Sequence, residues 1–192
     1  MHPLLSRLAR LGLRLAGWTT EGERPDAQKY VLIAAPHTSD ADFFTMVGGA
    51  WALGIAPKFM VKSSLFKGPV GLLMRALGGI PIAREARSDV VGQSCAEFAR
   101  QAQLVVALLP KGTRRFTPHW KSGFYVLARR ADVPVVLLSA DYTRRVVRIS
   151  GELTLTGEVE ADMDVIRAFF AGVQGKRPEQ NDVVRLASEV GE

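Results

Sequence analysis

The sequence predicts a single α/β domain built on a mixed, mostly parallel sheet flanked by helices, with an amphipathic helix in front of it. Three observations carry that expectation. Short apolar runs alternate with helix-like segments from residue 30 to residue 140, the order that builds a parallel sheet with helices on its faces. Two of the runs, LVVALL at 104–109 and VPVVLL at 133–138, are apolar nearly throughout, as strands buried on both faces are. No internal repeat, low-complexity tract or linker divides the 192 residues, a length suited to one domain with a substantial core. The expected division is 1–18 as the N-terminal helix and 19–192 as one domain.

Within 1–18, Leu4, Leu8, Leu11, Leu15 and Trp18 recur at spacings of 4, 3, 4 and 3, which is one face of a helix. Arg7, Arg10 and Arg14 flank that stripe with no acid among them. Leucines beside arginines suit a helix lying in the interface of an anionic membrane; docking on the domain's own core is the other reading, and one face could serve both. Residues 19–29 read as a polar turn. Tyr30–Ala35 is short, apolar and closed by Pro36, a buried strand. Ser39–Leu53 is helix-like, and Ser39-x-x-Asp42 resembles a capping box with Asp in place of Glu. Lys58–Lys62 follows as a strand, 66–77 as a helix, Gly78–Arg84 as a glycine-led strand, and Ser88–Ala102 as a polar-faced helix capped by Ser88. Leu104–Leu109 is the clearest buried strand. Ser122–Ala131 is a helix and Pro134–Ala140 a strand. Arg145–Ser150 and Glu152–Thr156 are expected as edge strands in a hairpin, and a last helix near 161–172.

Composition narrows the function. One cysteine, Cys95, excludes an intramolecular disulfide and a multi-cysteine zinc site, and it reads as a small buried hydrophobe. Residues 1–148 hold 21 basic and 10 acidic side chains, whereas 149–192 hold 4 and 9. A basic body with an acidic tail points to anionic partners. The basic residues are not interleaved with aromatics as a nucleic-acid stacking platform requires, so no nucleic acid is expected. No stretch approaches the roughly 18 apolar residues of a membrane span, and the N-terminal stretch is too charged for a secretory signal. The expected location is cytoplasmic, peripheral on the inner face of the membrane.

Ligands of open α/β sheets sit outside the carboxyl ends of the strands. Three polar segments fall there: PHTSDAD after the first strand, REAR after Gly78–Ala83, and PKGTRR after Leu104–Leu109. His37 and Asp42 stand five apart in the first of them. A carboxylate on one ring nitrogen would fix the tautomer and leave the other nitrogen free to take a proton. The third segment sets Lys111, Arg114 and Arg115 around Gly112 and Thr113, a composition that suits an anion because glycine admits close backbone approach and arginine chelates phosphate. A solvated loop and a simple helix cap are the plainer readings of these two segments.

Together the segments are recognisable. The chain resembles the glycerolipid acyltransferase superfamily, typified by 1-acylglycerol-3-phosphate acyltransferases. That family carries a histidine, four residues and an aspartate, here His37-Thr-Ser-Asp-Ala-Asp42; a glycine-led stretch ending in arginine, here Gly78–Arg84; a Pro-Glu-Gly-Thr-Arg stretch, here Pro110-Lys111-Gly112-Thr113-Arg114; and a late apolar segment with proline, here Val133–Val136. The resemblance implies a glycerol-3-phosphate acyltransferase-like fold and an O-acyltransferase. His37 would be the general base on an acceptor hydroxyl, with Asp42 orienting it. Arg84, Lys111, Gly112, Thr113 and Arg114 would meet the substrate, the arginines at a phosphate. The donor would be acyl-CoA or an acyl carrier protein thioester, the acceptor a lysophospholipid or another hydroxyl, phosphate-bearing or not. No metal or cofactor is expected, because the thioester is already activated. Lys111 stands where the family has glutamate. Either it binds an anion in a re-purposed site, or the site is impaired and the protein is a non-catalytic, membrane-associated lipid- or anion-binding relative.

Overall fold

Period-two alternation along one central strand decides how the molecule is layered. In the computed structural model, which describes residues 3–82 and 90–190, β2 (Lys29–Ala35) is buried on both faces. Tyr30, Leu32 and Ala34 enter one core with Met46, Ala50, Val136 and Leu138. Val31, Ile33 and Ala35 enter the other with Phe98, Phe124, Leu127, Met163 and Ile166. Each fully buried aliphatic side chain contributes about 1.5–3 kcal/mol, so both faces need a cover.

The covers are helices. α1 (Pro3–Leu15), β1 (Thr19–Glu21), β2, α2 (Asp40–Ala52), β3 (Lys58–Lys62), α3 (Gly68–Ala76), β4 (Gly79–Ile82), α4 (Val90–Arg100), β5 (Leu104–Leu108), α5 (Gly123–Ala131), β6 (Val135–Asp141), β7 (Val146–Ile149) and α6 (Val159–Phe170) follow in order. The strands form one sheet in the order β1-β7-β6-β2-β5-β3-β4. All pairs are parallel except β6 with β7. The mixed, mostly parallel sheet and the leading helix are those expected. Cys95 is half-buried and packs against the core.

Chain direction creates a crevice. From β2 the chain crosses over α2 to β3 on one side of the sheet, and from β5 it crosses over α5 to β6 on the other. β2 and β5 are neighbours, so their carboxyl ends open onto a topological switch point, where such sheets bind ligands.

Several expectations are corrected. The helix assigned to 1–18 ends at Leu15; Trp18 turns inward, is buried, and meets the Tyr142 ring edge-on at 4.8 Å. α1 rests on α2 through half-buried Ser6, Ala9 and Leu13 rather than through its leucine stripe. The polar turn at 19–29 contains β1, paired with distant β7. Glu152–Thr156 is no strand: Leu153 alone bridges to Val135. The backbone amides of Thr156 and Gly157 donate instead to the Asp162 carboxylate at 3.0 and 3.1 Å. The helix expected over 66–77 is present as α3, with Pro69 in its first turn, where its missing N–H costs nothing; the 3₁₀ turn Ser63–Phe66 that precedes it was not expected.

Candidate active site

The turn from β2 to α2 is held by one carboxylate. Asp42 Oδ2 accepts from Thr38 N at 2.5 Å, Thr38 Oγ1 at 2.9 Å and Ser39 N at 2.8 Å, while Oδ1 accepts from Ser39 Oγ at 2.7 Å. Ser39 in turn caps Asp42 N, completing a capping box. Asp42 is fully buried. Burial would raise its carboxyl, but the bonds from Ser39 and Thr38 outweigh burial and hold it below the usual carboxylate range.

His37 stands at the start of this turn, half-buried. Its Nδ1 is buried and has no hydrogen-bond partner, so the expected bond from Asp42 to the ring is not made; the carboxylate serves the turn instead. Asp42 acts on the ring through its charge. Burial pushes the imidazole below its ordinary value, Asp42 opposes that, and the cations of Arg114 and Lys111 add to it. The ring is therefore neutral at pH 7 and can accept a proton.

A cavity of about 810 Å³ opens beside His37. Gly112, Thr113 and Arg114 line its rim with Asp40, and the Arg114 guanidinium donates to the Asp40 carboxylate. Gly112 carries φ +67°, a conformation that favours glycine, and the loop turns there just past β5. The structure thus brings His37, Gly112, Thr113 and Arg114 to one cavity, with Asp42 behind the turn. The remainder of the wall is apolar, with Phe43, Phe44, Val47, Phe59, Leu65 and Met74 facing the cavity. Sequence reasoning did not place this wall. One signal was available: α2, DADFFTMVGGAWA, is apolar on more than one side, which a helix with a single buried face is not.

Of the other expected site residues, one is not described and one is not brought there. Arg84 lies outside the described residues, as do the REAR segment and Ser88. Lys111 faces the other way, 2% exposed. Its Nζ lies 2.9 Å from Asp182 Oδ1 and donates to the Gln180 carbonyl, while Asp182 Oδ2 accepts from Trp120 Nε1 at 2.5 Å. The expectation that Lys111 meets an anionic substrate is corrected: its charge is spent on a carboxylate of the C-terminal segment. Among the described residues no group of three or more His, Cys, Asp or Glu side chains is placed to hold a metal ion.

Comparison with known proteins gives a family and a fold. A family model described as Acyltransferase matches residues 18–139, a span that contains His37, Asp42 and the Gly112–Arg114 loop. The solved structure of the 1-acyl-sn-glycerophosphate (LPA) acyltransferase PlsC from Thermotoga maritima is similar with a TM-score of 0.63, over 85% of this chain and 74% of that one, at 16% sequence identity. A likeness at that identity is a likeness of fold. No curated protein matches the chain.

Proposed function

Since the chain belongs to the acyltransferase family, we propose that it moves a fatty acyl group from a thioester, of CoA or of an acyl carrier protein, to the hydroxyl of a lysophospholipid or related amphiphile. The observation that carries this reading is the position of His37: a neutral imidazole between an apolar cavity and a polar rim. An acyl chain suits the cavity, and a polar acceptor suits the rim of Gly112, Thr113 and Arg114. The Arg84 contact with a phosphate rests on the resemblance alone.

The steps follow from this placement. His37 accepts the proton of the acceptor hydroxyl as its oxygen attacks the thioester carbonyl. The tetrahedral intermediate collapses, the C–S bond breaks, and the imidazolium returns its proton to the leaving thiolate. Asp42 keeps the turn closed and its negative charge favours the imidazolium formed in the transition state. Lys111 enters none of these steps. With its charge neutralised inside the fold, the departure from the family pattern leaves the cavity and its base in place, so the catalytic reading is preferred to that of a non-catalytic lipid-binding relative. A surface role on an anionic bilayer follows from α1, whose leucines Leu4, Leu8, Leu11 and Leu15 are 57, 56, 54 and 81% exposed.

The test is thiol release from acyl-CoA and acyl carrier protein thioesters, with and without lysophosphatidate, using wild type and His37→Ala. Transfer should fall by at least about 10²-fold in the variant with the melting temperature kept. A folded His37→Ala protein of near-wild-type turnover would refute the mechanism.

A further inference from the structure

A second, polar cleft of about 330 Å³ adjoins the first. The two share Asp40 and Arg114. The cleft is lined by Arg114, Arg115 and Arg177, with Thr38, Ser39 and Gln180. Arg177 comes from the C-terminal segment, beyond the residues matched by the family model.

The cleft gathers three arginines against one carboxylate, Asp40, among the described residues that line it. Among the described residues Arg114 pairs with Asp40 alone, and the two side chains are 53 and 80% exposed, a pair that an incoming anion displaces at little cost. Arg115 and Arg177 have no carboxylate partner among the described residues.

Arg177 is not a loose tail residue. Its amide donates to Thr38 Oγ1 at 3.1 Å, next to the turn that carries His37. Two residues earlier, Gly175 passes so close that an added Cβ would lie 2.6 Å from Thr38 Cγ2. Beyond it, Gln180 Oε1 accepts from Phe116 N at 2.9 Å, and Lys111 pairs with Asp182 at 2.9 Å. The C-terminal segment is therefore strapped across both loops of the site, and Arg177 is held at the cleft by its own amide and by contacts of the segment on each side.

We infer that Arg177, brought in by the C-terminal strap, is a further substrate-positioning residue that binds phosphate in this cleft beside Arg114. The inference deepens the acyltransferase reading and rests on it for the ligand's identity alone: the phosphate belongs either to the acceptor's headgroup or to the donor, and the experiment separates the two. Arginine is the side chain for this task, since its planar fork chelates phosphate oxygens.

The kinetic arm compares wild type with Arg177→Ala, an exposed position whose truncation leaves the core intact, on lysophosphatidate and on neutral-headed monoacylglycerol with one acyl-CoA. The acceptor KM should rise roughly tenfold or more for lysophosphatidate, with no change for monoacylglycerol. A rise in the acyl-CoA KM instead assigns the phosphate to the donor, and supports the subsite equally. The binding arm titrates inorganic phosphate against chloride at equal ionic strength and reads the melting temperature. Wild type should show a saturable rise that Arg177→Ala lacks. Gly175→Ala, which pushes the strap off Thr38 while keeping Arg177, should show the same loss. Unchanged KM values together with an undiminished phosphate response in Arg177→Ala would overturn the inference and leave the acyltransferase reading standing. A phosphate response lost in Arg177→Ala, from a wild type that transfers no acyl group, would do the reverse.

Discussion

Asp42 accepts four hydrogen bonds from its own turn, and His37 receives only its field. The consequence is a pH dependence with a definite sign. Burial sets the imidazole below its ordinary value, Asp42 raises it, and Arg114 lowers it further. The neutral ring is the active form, so kcat/KM should rise with pH along an acid limb whose apparent pKa lies below 6.5. Asp42→Asn should move that limb to lower pH, because a charge that favours the imidazolium is gone. Arg114→Ala should move it to higher pH, whatever it does to KM. Opposite displacements in kcat/KM profiles support the assignment; limbs that stay together refute His37 as the titrating base. Stability follows the same logic. The unfolded chain takes up this proton more readily than the folded one, so the histidine's contribution is lost as pH falls through 6.5 toward the lower folded value.

At the scale of elements, the strap over residues 174–186 is what Lys111 serves. Trp120 N donates to the Arg185 carbonyl at 2.7 Å and Leu186 bridges to Trp120. Trp120 and Leu186 are each 1% exposed, so the strap is part of the core. Lys111→Glu would set a carboxylate against buried Asp182 and should cost at least the ~3–5 kcal/mol of breaking a buried pair. The thermal midpoint should fall accordingly, with no gain of transfer to lysophosphatidate. Replacing both partners, Lys111→Met with Asp182→Leu, should recover part of that loss, because an apolar pair of similar volume replaces a buried ion pair nearly neutrally while the Trp120 indole N–H loses its acceptor. Chemical denaturation of the three proteins decides this. A Lys111→Glu variant as stable as wild type would mean that the pair does not hold the strap.

For the molecule as a whole, the cavity and α1 lie on the same layer. α1 packs on α2, with Arg10 Nη2 donating to the Ala52 carbonyl at 2.9 Å and Gly48 close to Leu13. α2 also carries Phe44, exposed and at the cavity wall. The leucine ridge of α1 therefore runs beside the helix that forms the cavity, the arrangement that would bring an amphiphile's chain to it from a bilayer. Among the described residues no helix is long and apolar enough to cross a membrane. Full-length protein should sediment with anionic vesicles, less so in high salt, since each basic residue near the surface adds about 1 kcal/mol. Replacing Leu4, Leu8 and Leu11 together by Gln should abolish sedimentation at an unchanged melting temperature, because those side chains are exposed. Equal binding to neutral vesicles would contradict the electrostatic part.

The α/β class, most of the expected strands and the central helix were legible from residues 30–150, because apolar runs, caps and Pro/Gly punctuation act over a few neighbours. The position of His37 at a strand end was legible for the same reason, as was the capping box at Ser39 and Asp42. The β1–β7 pairing was not, since a three-residue strand has no periodicity of its own. Nor was the role of Lys111. A lysine beside Gly112, Thr113 and Arg114 reads as part of a basic loop, and only the folded chain turns it inward onto Asp182. The apolar cavity, the polar cleft and the strap that completes it were settled by tertiary structure alone. The strap meets the loops of the site across 60 to 140 residues of chain, the cavity gathers residues from Leu32 to Leu138, and such contacts leave no pattern in a local window. The sequence by itself determined the type of most segments between 30 and 150, because those signals are local; packing decided which charges are spent within the fold, because ion pairs such as Lys111 with Asp182 form only once distant segments meet.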